Sequence, residues 1–162
     1  MIMGIDPGNT HTAYAIISEV DCFPYRHGKL ENEEFASMLK HAHLNVSVYV
    51  IERVACYGMA VGHEVFDTCE WIGRFTQIIK DSRLRNPEYI LRMDEKMAIC
   101  HDSKAKDCNI RRALIDQFAR HDFKFGKGTK KNPDFFYSFA ADEWAAFAVA
   151  YTYLKRRRDT NE

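Results

Sequence analysis

Three acidic residues stand where the chain changes character. Asp6 ends the apolar run Ile2 to Ile5 and opens Pro7-Gly8-Asn9-Thr10, Glu52 ends a second apolar run over Val46 to Ile51, and Asp142 opens an alanine-rich C-terminal segment. Each has an ordinary explanation. Asp before Pro-Gly serves the hydrogen bonds of a turn, a Glu at a strand end marks where the strand meets solvent, and an acid at a helix start interacts with the helix dipole. Taken together they form a hard-oxygen donor set, of the kind that selects Mg²⁺ with Mn²⁺ as a substitute. Two such ions can activate a water and stabilise the leaving oxygen of a phosphodiester, a chemistry that gathers acids rather than a nucleophilic side chain. The seven histidines, His41 and His43 among them, form no H-E-x-x-H or comparable set and read as surface or packing residues.

The elements that must position these acids follow from periodicity. Residues 1–6, 12–18 and 22–30 read as a three-stranded meander, and 31–44 as a helix with Phe35, Met38, Leu39 and Ala42 on one side and Asn32 as its cap. A fourth strand over 46–52 can then lie parallel to the first, which brings Asp6 and Glu52 to one carboxyl edge of the sheet, where open α/β sheets place their sites. A helix is expected over 61–81, with Val65, Cys69, Ile72, Thr76 and Ile79 as one stripe and Trp71, Phe75 and Ile78 widening it. That stripe is wider than one sheet face needs. A homodimer through this helix is therefore expected, with Trp71, Phe75 and Ile78 toward the partner. A fifth strand over 88–92, a short helix over 93–100 and an amphipathic helix over 105–120 come next. The stretch 121–137 has no clean period and reads as a mobile loop. In the last helix, 139–157, Asp142, Ala145, Ala146 and Val149 share one face, and alanines there let the helix approach the sheet closely.

Composition bounds the reading. At 162 residues the chain suits one domain over 1–162, able to bury a core without disulfides. No run approaches the ~20 apolar residues that span a bilayer, so no membrane partner is expected and the location is read as cytoplasmic. The five cysteines are odd in number and none is spaced C-x-x-C, which speaks against a disulfide framework or a zinc site. Twenty-three basic residues balance 23 acidic ones, yet Lys124 to Lys131 and Lys155 to Arg158 are basic clusters.

G-I-D-P-G at Gly4 to Gly8, V-I-E at Val50 to Glu52, and A-A-D at Ala140 to Asp142 before an alanine-rich helix together resemble the RuvC group of Holliday junction resolvases. The likeness is greatest to its small bacteriophage and prophage members, and the segment Ala105 to Leu114 adds to it. The resemblance implies a five-stranded mixed sheet flanked by helices in the RNase H-like manner, a homodimer, and Mg²⁺-dependent cutting of branched DNA: four-way junctions, with forks or flaps as further substrates. Asp6, Glu52 and Asp142 match the metal-binding acids of the family. Where the family has His or Asp three residues before the last acid, this chain has Phe139, and Glu143 is the candidate to replace it. Lys96, Lys104 and Lys106 fall where the resemblance implies DNA contact. Lys127, Lys130 and Lys131 add a basic loop, and Tyr57, with Met59, is a candidate stacking element at the junction centre. Rival readings are a YqgF-like RNA nuclease, a catalytically weakened junction-binding protein, and an ATP-binding protein of the actin and sugar-kinase group, for which the chain is about half the required length.

Overall fold

Alternation of side chains along the strands gives the sheet two apolar faces, and helices cover both. The computed structural model describes residues 1–56, 58 and 60–160. Strands β1 (Ile2–Pro7), β2 (His11–Ile17) and β3 (Pro24–Glu31) form the antiparallel meander, and helix α1 (Asn32–His41) leads to β4 (Val48–Arg53). Helix α2 (His63–Arg83) precedes β5 (Glu88–Leu91), which is followed by α3 (Arg92–Glu95), a π-helical turn over Lys96–Cys100, α4 (Asp107–Phe118) and α5 (Glu143–Thr160). The sheet order is β3-β2-β1-β4-β5, with β1, β4 and β5 mutually parallel. This is the five-stranded mixed sheet, flanked by helices, that the sequence leads one to expect.

Met3, Ile5, Tyr14, Ile16, Tyr49 and Ile51 meet α1 and α2 on one face, where Phe35, Leu39, Phe75 and Ile79 are fully buried. Ile2, Ala13, Ala15, Ile17, Val50 and Ile90 meet α5 on the other. Because the strand period is two, Asp6 shares the face of Ile2, and Glu52 that of Val50. Both acids therefore project toward α5.

Four details differ from the sequence reading. Asn32 is not a helix cap. It is buried, its amide donates to the Gly8 carbonyl at 2.9 Å, and its side-chain oxygen accepts from the Thr12 hydroxyl at 2.7 Å, so it braces the β1–β2 turn beside Asp6. In α2 the face expected toward a partner covers the protein's own sheet. Trp71, Phe75, Ile78 and Ile79 recur at helical spacing, Phe75 is wholly buried, and its ring stands edge-on to Phe35 with centroids 5.0 Å apart. Cys69, placed on the inner stripe, is exposed, and Thr76 pairs with the Tyr89 hydroxyl instead of packing.

The 121–137 segment, expected to be a mobile loop, is built around two carboxylates. Asp134 accepts backbone N–H groups of Arg120, His121, Asp122 and Phe135, and Asp122 accepts those of Phe125, Lys127 and Gly128. The aromatic run then folds inward, and Phe135, Phe136 and Phe139 are buried against Phe147 of α5. Acid-centred turns leave no periodic trace in the sequence. Lastly, α5 begins at Glu143 rather than at 139. No helix among the described residues is long and apolar enough to cross a membrane.

Candidate active site

Gly4 decides how close α5 comes to the sheet. A Cβ on Gly4 would lie 2.1 Å from the Ala146 carbonyl oxygen and 2.7 Å from the Ala150 nitrogen, so strand and helix backbones touch. Four residues before Ala146 is Asp142, a rise of about 6 Å. Two residues beyond Gly4 is Asp6, an advance of roughly 6.6 Å. Contact at Gly4 thus carries Asp142 to the end of β1. The parallel pair Ile5 with Ile51 is the last in its ladder, which leaves Asp6 and Glu52 adjacent at the next step.

A cavity of about 550 Å³ opens there, and Asp6, Glu52, Asp142, Arg92, Asp107 and Arg111 contribute to its wall. The acids are not independent. Burial, then the charge and hydrogen bond of Glu52, push the Asp6 carboxyl up to about 8. Burial also raises Glu52, against the opposing charge of Arg92. Beneath them lies Glu95, with no exposed surface and held well above the ordinary carboxylate range by burial and by the nearby charge of Glu52. Asp142 is half-exposed and accepts a hydrogen bond from the Lys29 ammonium of β3. Concentrated negative charge of this kind, partly relieved by Arg92 and Lys29, marks a place prepared for a cation or for proton chemistry.

The structure brings Asp6, Glu52 and Asp142 together and leaves the other expected residues elsewhere. Glu143 does not reach the cavity. Its carboxylate is taken up by His27 Nδ1 at 2.7 Å and by the backbone N–H of Ala140 at 2.9 Å, which fastens the start of α5 to β3. Phe139 lies buried in the aromatic core, 4.2 Å from the His27 ring. Neither residue supplies a fourth acid to the wall. Lys96, Lys104 and Lys106 follow β5 as expected but do not line the cavity, and Lys127, Lys130 and Lys131 belong to the acid-centred 121–137 segment. Tyr57 and Met59 lie outside the described residues.

Sequence reasoning passed over four residues of this centre. Lys29 sits in a strand of weak pattern, and Arg92 and Glu95, which share a four-residue helix, fall in the sequence reading at the end of the fifth strand and within the short helix after it. Arg111, whose guanidinium lies 4.7 Å from the centroid of the Trp144 ring, reads as one more surface charge of an amphipathic helix. The R-x-x-E spacing of Arg92 and Glu95, favourable for an ion pair on one helix face, was the available signal.

Oxygen donors without cysteine or neutral imidazole fit a hard divalent cation. Among the described residues, however, no three acidic, histidine or cysteine side chains are already set around one ligating point. The Lys29–Asp142 pair and the Asp6–Glu52 hydrogen bond are the contacts that would open for one.

No family model matches the chain, and no curated protein matches it in sequence. Solved structures do. RuvC of T. thermophilus in complex with a Holliday junction substrate superposes with a TM-score of 0.69 at 12% identity, covering 98% of this chain and 95% of that one. A second structure of Thermus thermophilus RuvC gives a TM-score of 0.66, also at 12% identity and with the same coverage. At that identity the likeness establishes the RuvC-like, RNase H-like fold.

Proposed function

We propose that the protein is a divalent-metal-dependent endonuclease that cuts branched DNA, four-way junctions first among its substrates, as a single nuclease domain of RuvC type. The observation that carries this reading is the convergence of Asp6, Glu52 and Asp142 on one cavity at the carboxyl edge of a sheet whose fold is RuvC-like. A solved structure of that fold holding a Holliday junction substrate supports branched DNA as the ligand. The sequence resemblance favours a phage or prophage origin and a bacterial cytoplasmic setting.

In this reading Asp6, Glu52 and Asp142 would hold Mg²⁺, or Mn²⁺ in its place, which would supply an activated water and charge stabilisation at the phosphodiester. The chain's own residues do the rest. The Asn32 brace fixes the turn behind Asp6, Gly4 sets the depth of Asp142, and Lys29 neutralises Asp142. Lys96, Lys104, Lys106, Lys127, Lys130 and Lys131 serve backbone phosphates outside the cavity, since branch shape is recognised without reading bases. The protein acts as a homodimer, because two cuts in like-polarity strands call for a two-fold pair of sites. The exposed Phe66 at the start of α2 takes the place of Phe75 as the side chain to test at that contact.

Incubation with Mg²⁺ and, in turn, a four-way DNA junction, a structured RNA and ATP tests the reading. Cleavage of the junction that disappears in Asp6→Asn while binding survives is the expected result. Cleavage of RNA alone would shift the assignment to a YqgF-like ribonuclease. Junction binding without cutting would favour a weakened resolvase, the reading that Phe139 in the core supports.

A further inference from the structure

We infer that Arg92 is the residue that grips the substrate's backbone phosphate inside the acid-lined cavity, held in place by the buried carboxylate of Glu95 and released from Asp107 as DNA enters. The inference rests on the nucleolytic reading above and deepens it.

Arg92 follows β5 and has two partners of opposite character. One guanidinium arm donates to Glu95 Oε2 and the other to Asp107 Oδ1. The Glu95 side chain has no exposed surface, whereas that of Asp107 is 86% exposed. The Glu95 side of the first bond is sealed from water, and separating it would leave a buried carboxyl without its partner, so that arm stays fixed. The second bond is an exposed ion pair, which contributes little and exchanges readily with another anion. A guanidinium is a rigid planar fork. With one edge anchored inside the protein, the other is presented to the cavity at a set angle, suited to two oxygens of a phosphate.

Two observations separate this from a purely structural ion pair. The first is Glu95 Oε1, which is buried without a hydrogen-bond partner among the described residues. A buried carboxyl that uses only one of its oxygens destabilises the fold relative to an apolar side chain of the same size. What it does provide is a fixed position for Arg92. The second is location, since Arg92 lines the same cavity as Asp6, Glu52 and Asp142, while the lysines expected from sequence to meet the phosphate do not. A phosphate approaching the carboxylates of Asp6, Glu52, Asp107 and Asp142 is repelled unless a cation is already in place. Of the two arginines in the wall, Arg111 stacks on Trp144, and Arg92 is the one with an exchangeable partner.

The test uses the full chain in three variants. Arg92→Met combined with Glu95→Met removes both partners together, an exchange that folds as well as or better than the ion pair in comparable cases. Junction binding in EDTA across a salt series reports phosphate contacts without any cutting, and its log–log salt slope should fall by about one for this variant. Cleavage with Mg²⁺ should fall by about 10² or more. Asp107→Asn, which removes the competitor, should tighten junction binding about two- to fivefold. Should the double variant fail to fold, Arg92→Lys keeps a charge for Glu95 but lacks the second arm, and its rate should drop about tenfold or more with the salt slope retained.

A folded double variant with wild-type slope and rate overturns the inference, as do wild-type cleavage by Arg92→Lys and weaker binding by Asp107→Asn. If the wild type binds junctions but cuts none, the nuclease reading falls alone, because the slope still reports Arg92. If it binds none, both fall.

Discussion

Replacing Gly4 with alanine adds one methyl group at the point where β1 and α5 touch, and its cost follows from the geometry. The new Cβ would stand 2.1 Å from the Ala146 carbonyl oxygen, 2.7 Å from the Ala150 nitrogen and 2.9 Å from the Ala150 Cβ, where ordinary contact begins at 3.4 Å. All three obstacles belong to the helix backbone or to the first atom beyond it, so no rotamer change relieves them. The helix must back away by about 1 Å, lifting a buried apolar face from the sheet. Overpacking of this kind costs about 1–3 kcal/mol, and with backbone as the obstacle the upper end applies. For a chain of this size that lowers Tm by roughly 6–12 °C. The same retreat carries Asp142 away from Asp6 and Glu52, and a misplacement of about 1 Å at a reacting centre can reduce rate about 10²-fold. Circular dichroism melting, followed by junction cleavage well below the melting point, measures both effects. Gly73→Ala is the control, since Gly73 lies within α2 with nothing within 4 Å of its would-be Cβ, and the change there should stabilise by about 0.5–1 kcal/mol. Gly4→Ala melting and cutting like the wild type would show that α5 does not owe the position of Asp142 to this contact.

Asp6→Asn removes one of the crowded buried acids, so in EDTA it should melt higher than the wild type, by about 0.5–2 kcal/mol, while losing the stabilisation that Mn²⁺ gives the wild type; an unchanged Mn²⁺ response would remove Asp6 from the ligand set. Phe75→Ala should cost about 3–5 kcal/mol as a core truncation, whereas the exposed Phe66→Asp should leave the melt intact and shift sedimentation toward monomer; a dimeric Phe66→Asp would exclude that contact. Burial opposes the charge of Asp134, but the N–H groups of His121, Arg120, Asp122 and Phe135 outweigh it and hold the carboxyl well below its usual range. Its contribution is therefore complete above an unfolded-state value of about 4 and is lost as pH falls below it, so Asp134→Asn, weaker at pH 7, should lose less stability on acidification than the wild type. Parallel stability curves between pH 7 and 3 would contradict that assignment.

The meander, the parallel pairing of β1 with β4 and the meeting of Asp6 with Glu52 were legible because they depend on period two and on one parallel crossover, both written locally in the chain. Asp142 was legible through the alanines that follow it. The α2 interface was not, because Val65, Cys69, Ile72, Thr76 and Ile79 fit a helical stripe nearly as well as Trp71, Phe75, Ile78 and Ile79 do. Periodicity fixes that a face is apolar, and only the neighbouring α1, through Phe35, decides which face is used. The acid-centred turns at Asp122 and Asp134 were hidden for a related reason, since their hydrogen bonds run to backbone groups that every sequence possesses.

The charges around the cavity show where local reading stops. Asp94, Glu95 and Lys96 are consecutive and look alike as a polar helix start, yet Asp94 accepts the Leu91 N–H at 2.9 Å as a cap, Glu95 is sealed beneath Arg92, and Lys96 opens the π-helical turn. What separates them is depth. Depth is set by where β5 ends against β4, with Glu52 beside Ile90. A one-residue slip in that register would send Glu95 to solvent, leave Arg92 with exposed partners only, and remove the fixed edge that the phosphate-binding inference requires. The electrostatics of the site are thus a property of the sheet's register, and a substitution at buried Ile90 should disturb junction cleavage through Arg92 although Ile90 carries no charge and does not line the cavity.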